Sequence, residues 1–215
     1  MKKIIFALAL AACMATGASA QENRVKLSVN VGPQWNDKTG FMAGVDALIP
    51  FGQSRWGFEP GIYYSFRNAS TDHSENNVKE ECNDKLHYIN IPLRLAVRVA
   101  GQSDGPFNMS LLFGPYFAYG IDGKSHYTLT QDGKTTKSEA DAFGDEGRLR
   151  SRLDYGLNLG LNAVIKQHFK VGVFTEIGCK DIYKPNTMAE DLVGDLFGGI
   201  TKINVGGGIT VGYQF

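Results

Sequence analysis

The stretch Ile203-Asn204-Val205-Gly206-Gly207-Gly208-Ile209-Thr210-Val211-Gly212-Tyr213-Gln214-Phe215 alternates strictly. Ile203, Val205, Ile209, Val211, Tyr213 and Phe215 share one parity, with Gly207 the only small member. Asn204, Gly206, Gly208, Thr210, Gly212 and Gln214 share the other. Successive side chains of a strand point to opposite faces, so this is a strand with one bulky apolar face and one small polar face. It ends on an aromatic residue, as strands that close an outer-membrane barrel often do.

Seven further stretches repeat the pattern at about residues 25–35, 39–49, 56–67, 86–99, 107–122, 153–165 and 169–181. The clearest sets Leu153, Tyr155, Leu157, Leu159, Leu161, Ala163 and Ile165 against Asp154, Gly156, Asn158, Gly160 and Asn162. Connections after the second, fourth and sixth strands are short. Those after the third, fifth and seventh (68–85, 123–152 and 182–202) are long, polar or irregular, and read as solvated loops; only 125–131 suggests a hairpin extension. An even number of amphipathic strands with short turns at one end and long loops at the other predicts an all-β, eight-stranded antiparallel up-and-down transmembrane β-barrel. The last strand is expected to pair with both the first and the seventh, leaving no free edge in lipid.

An eight-stranded secreted barrel with an apolar interior is the competing architecture. The bulky face decides between them. Several large side chains per strand would overfill an interior that only just accommodates side chains. The glycine, asparagine, serine and threonine face therefore turns inward, and the aliphatic face meets lipid. Charges on the inward face need partners, because an unpaired buried charge is costly. Asp46, Glu59, Arg94, Arg98 and Glu176 are the expected lumen charge network, with Asp154 a further mid-strand charge. A salt-bridged plug is the expected form; a narrow porin-like channel is the alternative.

The first twenty residues read as a cleaved signal peptide. Lys2 and Lys3 form a basic region, an apolar run follows, and Ala18-Ser19-Ala20 offers cleavage between Ala20 and Gln21. The barrel domain is then 21–215. A second reading takes Leu10-Ala11-Ala12-Cys13 as a lipoprotein cleavage box. Export makes Cys82 and Cys179 a candidate disulfide. With 22 basic and 22 acidic residues, the chain carries no charge excess that would draw nucleic acid.

No cofactor or metal motif is present, and no enzyme activity is expected. His73, His87, His126 and His168 are scattered. A loop-borne enzyme would need His87 or His126 to meet an acid such as Asp72 or Asp141, and no spacing supports it. The expected role is structural, or interaction with an extracellular ligand through the long loops. The expected partners are outer-membrane lipid and the barrel assembly machinery of a Gram-negative bacterium.

Tyr88-Ile89-Asn90-Ile91-Pro92-Leu93-Arg94-Leu95 resembles the Tyr-x-x-Ile-Pro-Leu strand of the PorT-like outer-membrane β-barrel domains of Bacteroidetes. Gly114-Pro115-Tyr116 resembles the Gly-Pro-Tyr strand that follows it, and Asp154 to Gly160 and Gly212 to Phe215 are similar too. The resemblance implies a porin-family outer-membrane barrel and names no function. Tyr213 and Phe215 resemble the assembly signal at the end of such barrels, although Thr210 stands where a glycine is often found.

Overall fold

A computed structural model describes residues 24–75, 78–131, 134–143, 151–179 and 204–215. Among these, nine strands occur: β1 (Lys26–Trp35), β2 (Lys38–Pro50), β3 (Trp56–Glu75), β4 (Val78–Gly101), β5 (Phe107–Gln131), β6 (Lys134–Asp141), β7 (Leu153–Ile165), β8 (Phe169–Gly178) and β9 (Asn204–Gln214). Eight of them form a closed antiparallel ring in the order β1-β2-β3-β4-β5-β7-β8-β9. β9 closes it against β1, with Val211 opposite Val31 and Tyr213 opposite Val29, and pairs along its length with β8. Every ring strand thus has a hydrogen-bonded neighbour on both sides, which a bilayer demands.

The alternation sorts side chains as expected. Val29, Val31, Ile62, Leu111, Leu157, Val173, Val205 and Val211 are exposed on the outside. Ser28, Asn30, Asp46, Glu59, Asn90, Asp154 and Glu176 are buried inside. Aromatic rings gather at the strand ends. Phe41, Tyr64 and Phe66 cluster near the loop end, and Phe169, Tyr213 and Phe215 near the turn end.

β7 matches its expected limits, but two of the expected loops are largely strand. β3 and β4 run on as a paired hairpin from Asn68↔Lys85 to Glu75↔Val78. β5 continues to Gln131, where Val78 pairs with it, and β6 folds back along it from Gln131↔Lys134 to Lys124↔Asp141. Both parities of these extensions are rich in polar residues, because neither face meets lipid. The hydrophobic alternation that marks a membrane strand is therefore missing from them. At about 3.3 Å per residue, the eight residues after Arg67 carry β3 roughly 25 Å beyond the ring. The result is a four-stranded sheet, β3-β4-β5-β6, standing on one side of the barrel.

The opposite end is compact and carries the turns between β2 and β3, β4 and β5, and β7 and β8. In the last of these, Lys166 and Gln167 both take positive φ, 52° and 67°, the twist that tight hairpins require. Gln167 Nε2 donates to the Asp104 carbonyl at 2.6 Å and ties this turn to the neighbouring one. The expected cleavage site at Ala20 and Gln21, Cys13, and the loop 182–202 lie outside the described residues.

Candidate functional site: a charged lumen and its two mouths

Two layers of ionised side chains cross the barrel interior. In the lower layer, nearer the turns, Lys170 reaches from β8 to Asp46 on β2 at 2.8 Å and Glu59 on β3 at 3.1 Å. Arg94 on β4 pairs with Glu59 at 2.8 Å and lies 3.5 Å from Asp46. The Tyr63 hydroxyl and the Asn30 amide also donate to Asp46, and Asn162 donates to Glu59. In the upper layer Arg67 spans from β3 to Asp154 on β7 at 2.6 Å and Glu176 on β8 at 3.1 Å. Its guanidinium lies 4.8 Å from the Tyr88 ring centroid, and Asn90 and Asn158 both donate to Glu176.

The four carboxylates and three cations are all buried, at 6% exposure or less. Charge-assisted hydrogen bonds on nearly every oxygen offset the cost of dehydrating them. Between the layers lies a void of about 10 Å³, lined by Asp46, Arg94 and Lys170 from below and Asn90, Asn158 and Glu176 from above. A space of that size holds one water at most.

Above the upper layer sits an apolar cap. Phe143, just after β6, folds inward and meets Tyr88 edge-on at 5.6 Å, in a cluster with Leu86, Tyr116, Ala118 and Ala142. Arg152 holds it there. Its guanidinium lies over the Phe143 ring and donates to the carbonyls of Phe143 and Gly120. Gly120 and Gly123 make the room: a Cβ on either would stand 2.4 or 2.8 Å from the Phe143 ring.

At the turn end the lumen widens into a cavity of about 550 Å³, open to solvent and lined by Lys26, Arg55, Trp56, Arg98, Asp104, Gln214 and neighbouring polar side chains.

The geometry brings Asp46, Glu59 and Arg94 together and places Glu176 in the other layer. Arg98 does not join them. It lies four residues beyond Arg94 on the same strand, about 13 Å along it, and lines the turn-end mouth. Lys170, Arg67, Asp154, Tyr63 and Tyr116 complete the layers. Lys170 and Arg67 have the inward parity, but both lie at the limits of the amphipathic stretches, where a charge also suits an interface.

Cys82 and Cys179 are not joined to each other by a disulfide in this structure. Cys82 lies on the β4 extension beyond the ring, where its thiol donates to Asp84, and Cys179 follows β8, three places round the barrel from β4. On the projecting sheet Lys124 pairs with Glu139 at 2.5 Å, and His126 lies 3.3 Å from the same carboxylate. The hydrogen bond and charge of Glu139 raise the Lys124 ammonium above its usual range, and those of Lys124 lower the Glu139 carboxyl.

The family described as an outer membrane protein beta-barrel domain matches residues 14–183. The chain belongs to this family. No curated protein matches it. Among solved structures, it is similar to a major outer membrane protein from Thermus thermophilus (16% identity, 89% of this chain and 99% of that one, TM-score 0.44). It is also similar to Ail, the attachment invasion locus protein of Yersinia pestis (11% identity, 89% and 99%, TM-score 0.36). A third is the N-terminal β-barrel domain of Pseudomonas aeruginosa OprF (9% identity, 88% and 97%, TM-score 0.35).

Family membership puts the barrel in the outer membrane and gives its layers an orientation. In such barrels short turns face the periplasm and longer connections face outside. The 550 Å³ mouth is then periplasmic, and the Phe143 cap and projecting sheet are extracellular. Tyr213 lies at the periplasmic interface, stacked on His168 with centroids 5.1 Å apart, and Phe215 packs against it.

Proposed function

We propose that this outer-membrane barrel is closed to solutes and acts through its extracellular sheet as an interaction protein. The observation that carries the reading is the lumen: two cross-barrel ion-pair layers separated by a void of about 10 Å³, beneath an aromatic cap. A conducting pore needs a continuous wet path, and here each layer would have to break its ion pairs to open one. The long hairpins support the other half. About 25 Å of paired strand beyond the ring serves no membrane-spanning purpose, and it displays exposed polar side chains such as those of Lys134–Asp141.

Residues 88–95 support a place among the PorT-like barrels within this family. The same reading has the chain exported by removal of residues 1–20, inserted by the barrel assembly machinery and surrounded by outer-membrane lipid. Under this reading the protein is not an enzyme.

Reconstitution into planar bilayers tests the closed reading. The expected record is a flat baseline with rare, irregular openings. Steady unit conductance that scales with salt concentration would sink it.

A further inference from the structure

The periplasmic mouth plays no part in closing the lumen, yet it is built as a binding site. Its volume of about 550 Å³ falls in the range of small-molecule sites and is far larger than an inorganic anion needs. Three cations line it against one carboxylate: Lys26, Arg55 and Arg98 against Asp104. Lys26 is committed to Asp104 at 2.9 Å. Among the described residues neither Arg55 nor Arg98 has an ion-pair partner. Their backbones are paired, the Arg98 N–H donating to the Arg55 carbonyl at 2.8 Å, and both residues line the mouth. Gln214 offers an amide from β9, while the Trp56 indole turns to the outer face and packs edge-on against Phe113.

From this geometry we infer that the mouth binds a carboxylate-bearing glycopeptide of the cell wall. Paired guanidinium forks match planar carboxylates in bidentate fashion. The positive concavity concentrates anions. The amides and hydroxyls lining the mouth suit sugar and peptide groups. The periplasm is the compartment this mouth faces, and its wall polymer carries those groups together. The inference is independent of the extracellular sheet and of whether the lumen conducts.

The test is titration calorimetry of the refolded protein in detergent micelles. The probe is a soluble disaccharide tripeptide with free carboxylates. The expected result is a saturable binding heat, with affinity weakened about tenfold by Arg98→Gln or Arg55→Gln, the loss of one charge-assisted contact. Raised salt should weaken it too. The fully amidated probe should fail, and inorganic phosphate should compete poorly. Heat-dependent gel mobility confirms that each variant is folded. Absence of a saturable binding heat, or affinity unchanged in both arginine variants, would overturn the inference. Equal competition by phosphate would overturn the carboxylate assignment. Binding seen only after Glu22→Gln would overturn it as well, by making the mouth a seat for that carboxylate of the chain itself.

Discussion

Lys170→Met tests how the lower layer holds the barrel together. Lys170 is 3% exposed and gives two short charge-assisted hydrogen bonds, to Asp46 and Glu59. Removing it leaves those two carboxylates with Arg94 as their one paired cation, beside the neutral donors Tyr63, Asn30 and Asn162. The upper layer cannot help, since Arg67 already faces both Asp154 and Glu176. Two such bonds are worth about 1.5–3 kcal/mol each, and breaking a buried pair costs about 3–5 kcal/mol because a charge is left uncompensated. The expected loss is therefore about 3–5 kcal/mol. Adding Asp46→Asn removes the stranded charge and keeps the shorter Arg94–Glu59 pair at 2.8 Å. The double variant should recover most of the loss. The assay is reversible urea unfolding in lipid vesicles, followed by tryptophan fluorescence and by heat-dependent gel mobility. A single-variant loss under about 1 kcal/mol, or a double variant worse than the single, would refute cross-barrel pairing through Lys170.

Phe143→Ala should loosen the extracellular cap without loosening the ring. Core Phe→Ala changes cost about 3–5 kcal/mol, and here the loss falls on the hairpin, so amide exchange should quicken in Lys134–Asp141 and hold steady in Leu153–Ile165. Acid should act on the same hairpin through Glu139. Its carboxyl sits below the ordinary 4.5, so its contribution is present above that value and is lost as pH falls through the lowered one. Lys124 sits above 10.5, so its contribution is complete below that value and is lost only in strong alkali. Hairpin protection measured by exchange should thus be level at neutral pH and fall below 4.5, and Glu139→Gln should abolish the dependence. Deleting residues 213–215 removes the Tyr213↔Val29 and Gln214↔Ser28 pairs that close the ring. Outer-membrane levels should drop, whereas normal insertion would deny β9 its closing role.

The ring was legible because lipid writes a strong pattern. A strand with Val, Leu and Phe on one face and Gly, Asn and Asp on the other can satisfy a bilayer in only one way. β7 shows it best: every odd position is apolar and the even positions carry Asp154, Gly156, Asn158, Gly160 and Asn162. The strand extensions were not legible for the complementary reason. Thr71, Asp72, His73 and Ser74 are polar at both parities, so no contrast separates them from a loop. Their order comes from the partner strand instead, with His73 opposite Glu80 and Thr71 opposite Cys82. The lumen network was half legible. Parity shows which charges point inward, but not how far a side chain reaches. Arg94 and Arg98 share a parity; only Arg94 lies level with Glu59, its register partner. Phe143 gave no signal at all, since its burial depends on Gly120 and Gly123 leaving a hollow far earlier in the chain.

Why so narrow a lumen carries seven charges follows from what the alternatives would cost. Well-packed apolar side chains of similar volume would fill it with equal or greater stability. They would not fix the register. A strand of period two that slips by one residue exchanges its faces. With an apolar lumen, a slipped β3 would still offer lipid an apolar surface, and the misfolded ring would be nearly as stable as the correct one. With Glu59 and Arg67 on its inner face, a slip drives both into the bilayer. A cation on the lipid face costs about 2–4 kcal/mol at the midplane and about 0–1 kcal/mol near an interface, and the ion pairs to Arg94, Asp154 and Glu176 are lost at the same time. The charges lie on β2, β3, β4, β7 and β8, so most strands of the ring are checked in this way. Stability given up in the lumen is returned as a single allowed register, and a ring closed by side chains reaching across it cannot also be a pore.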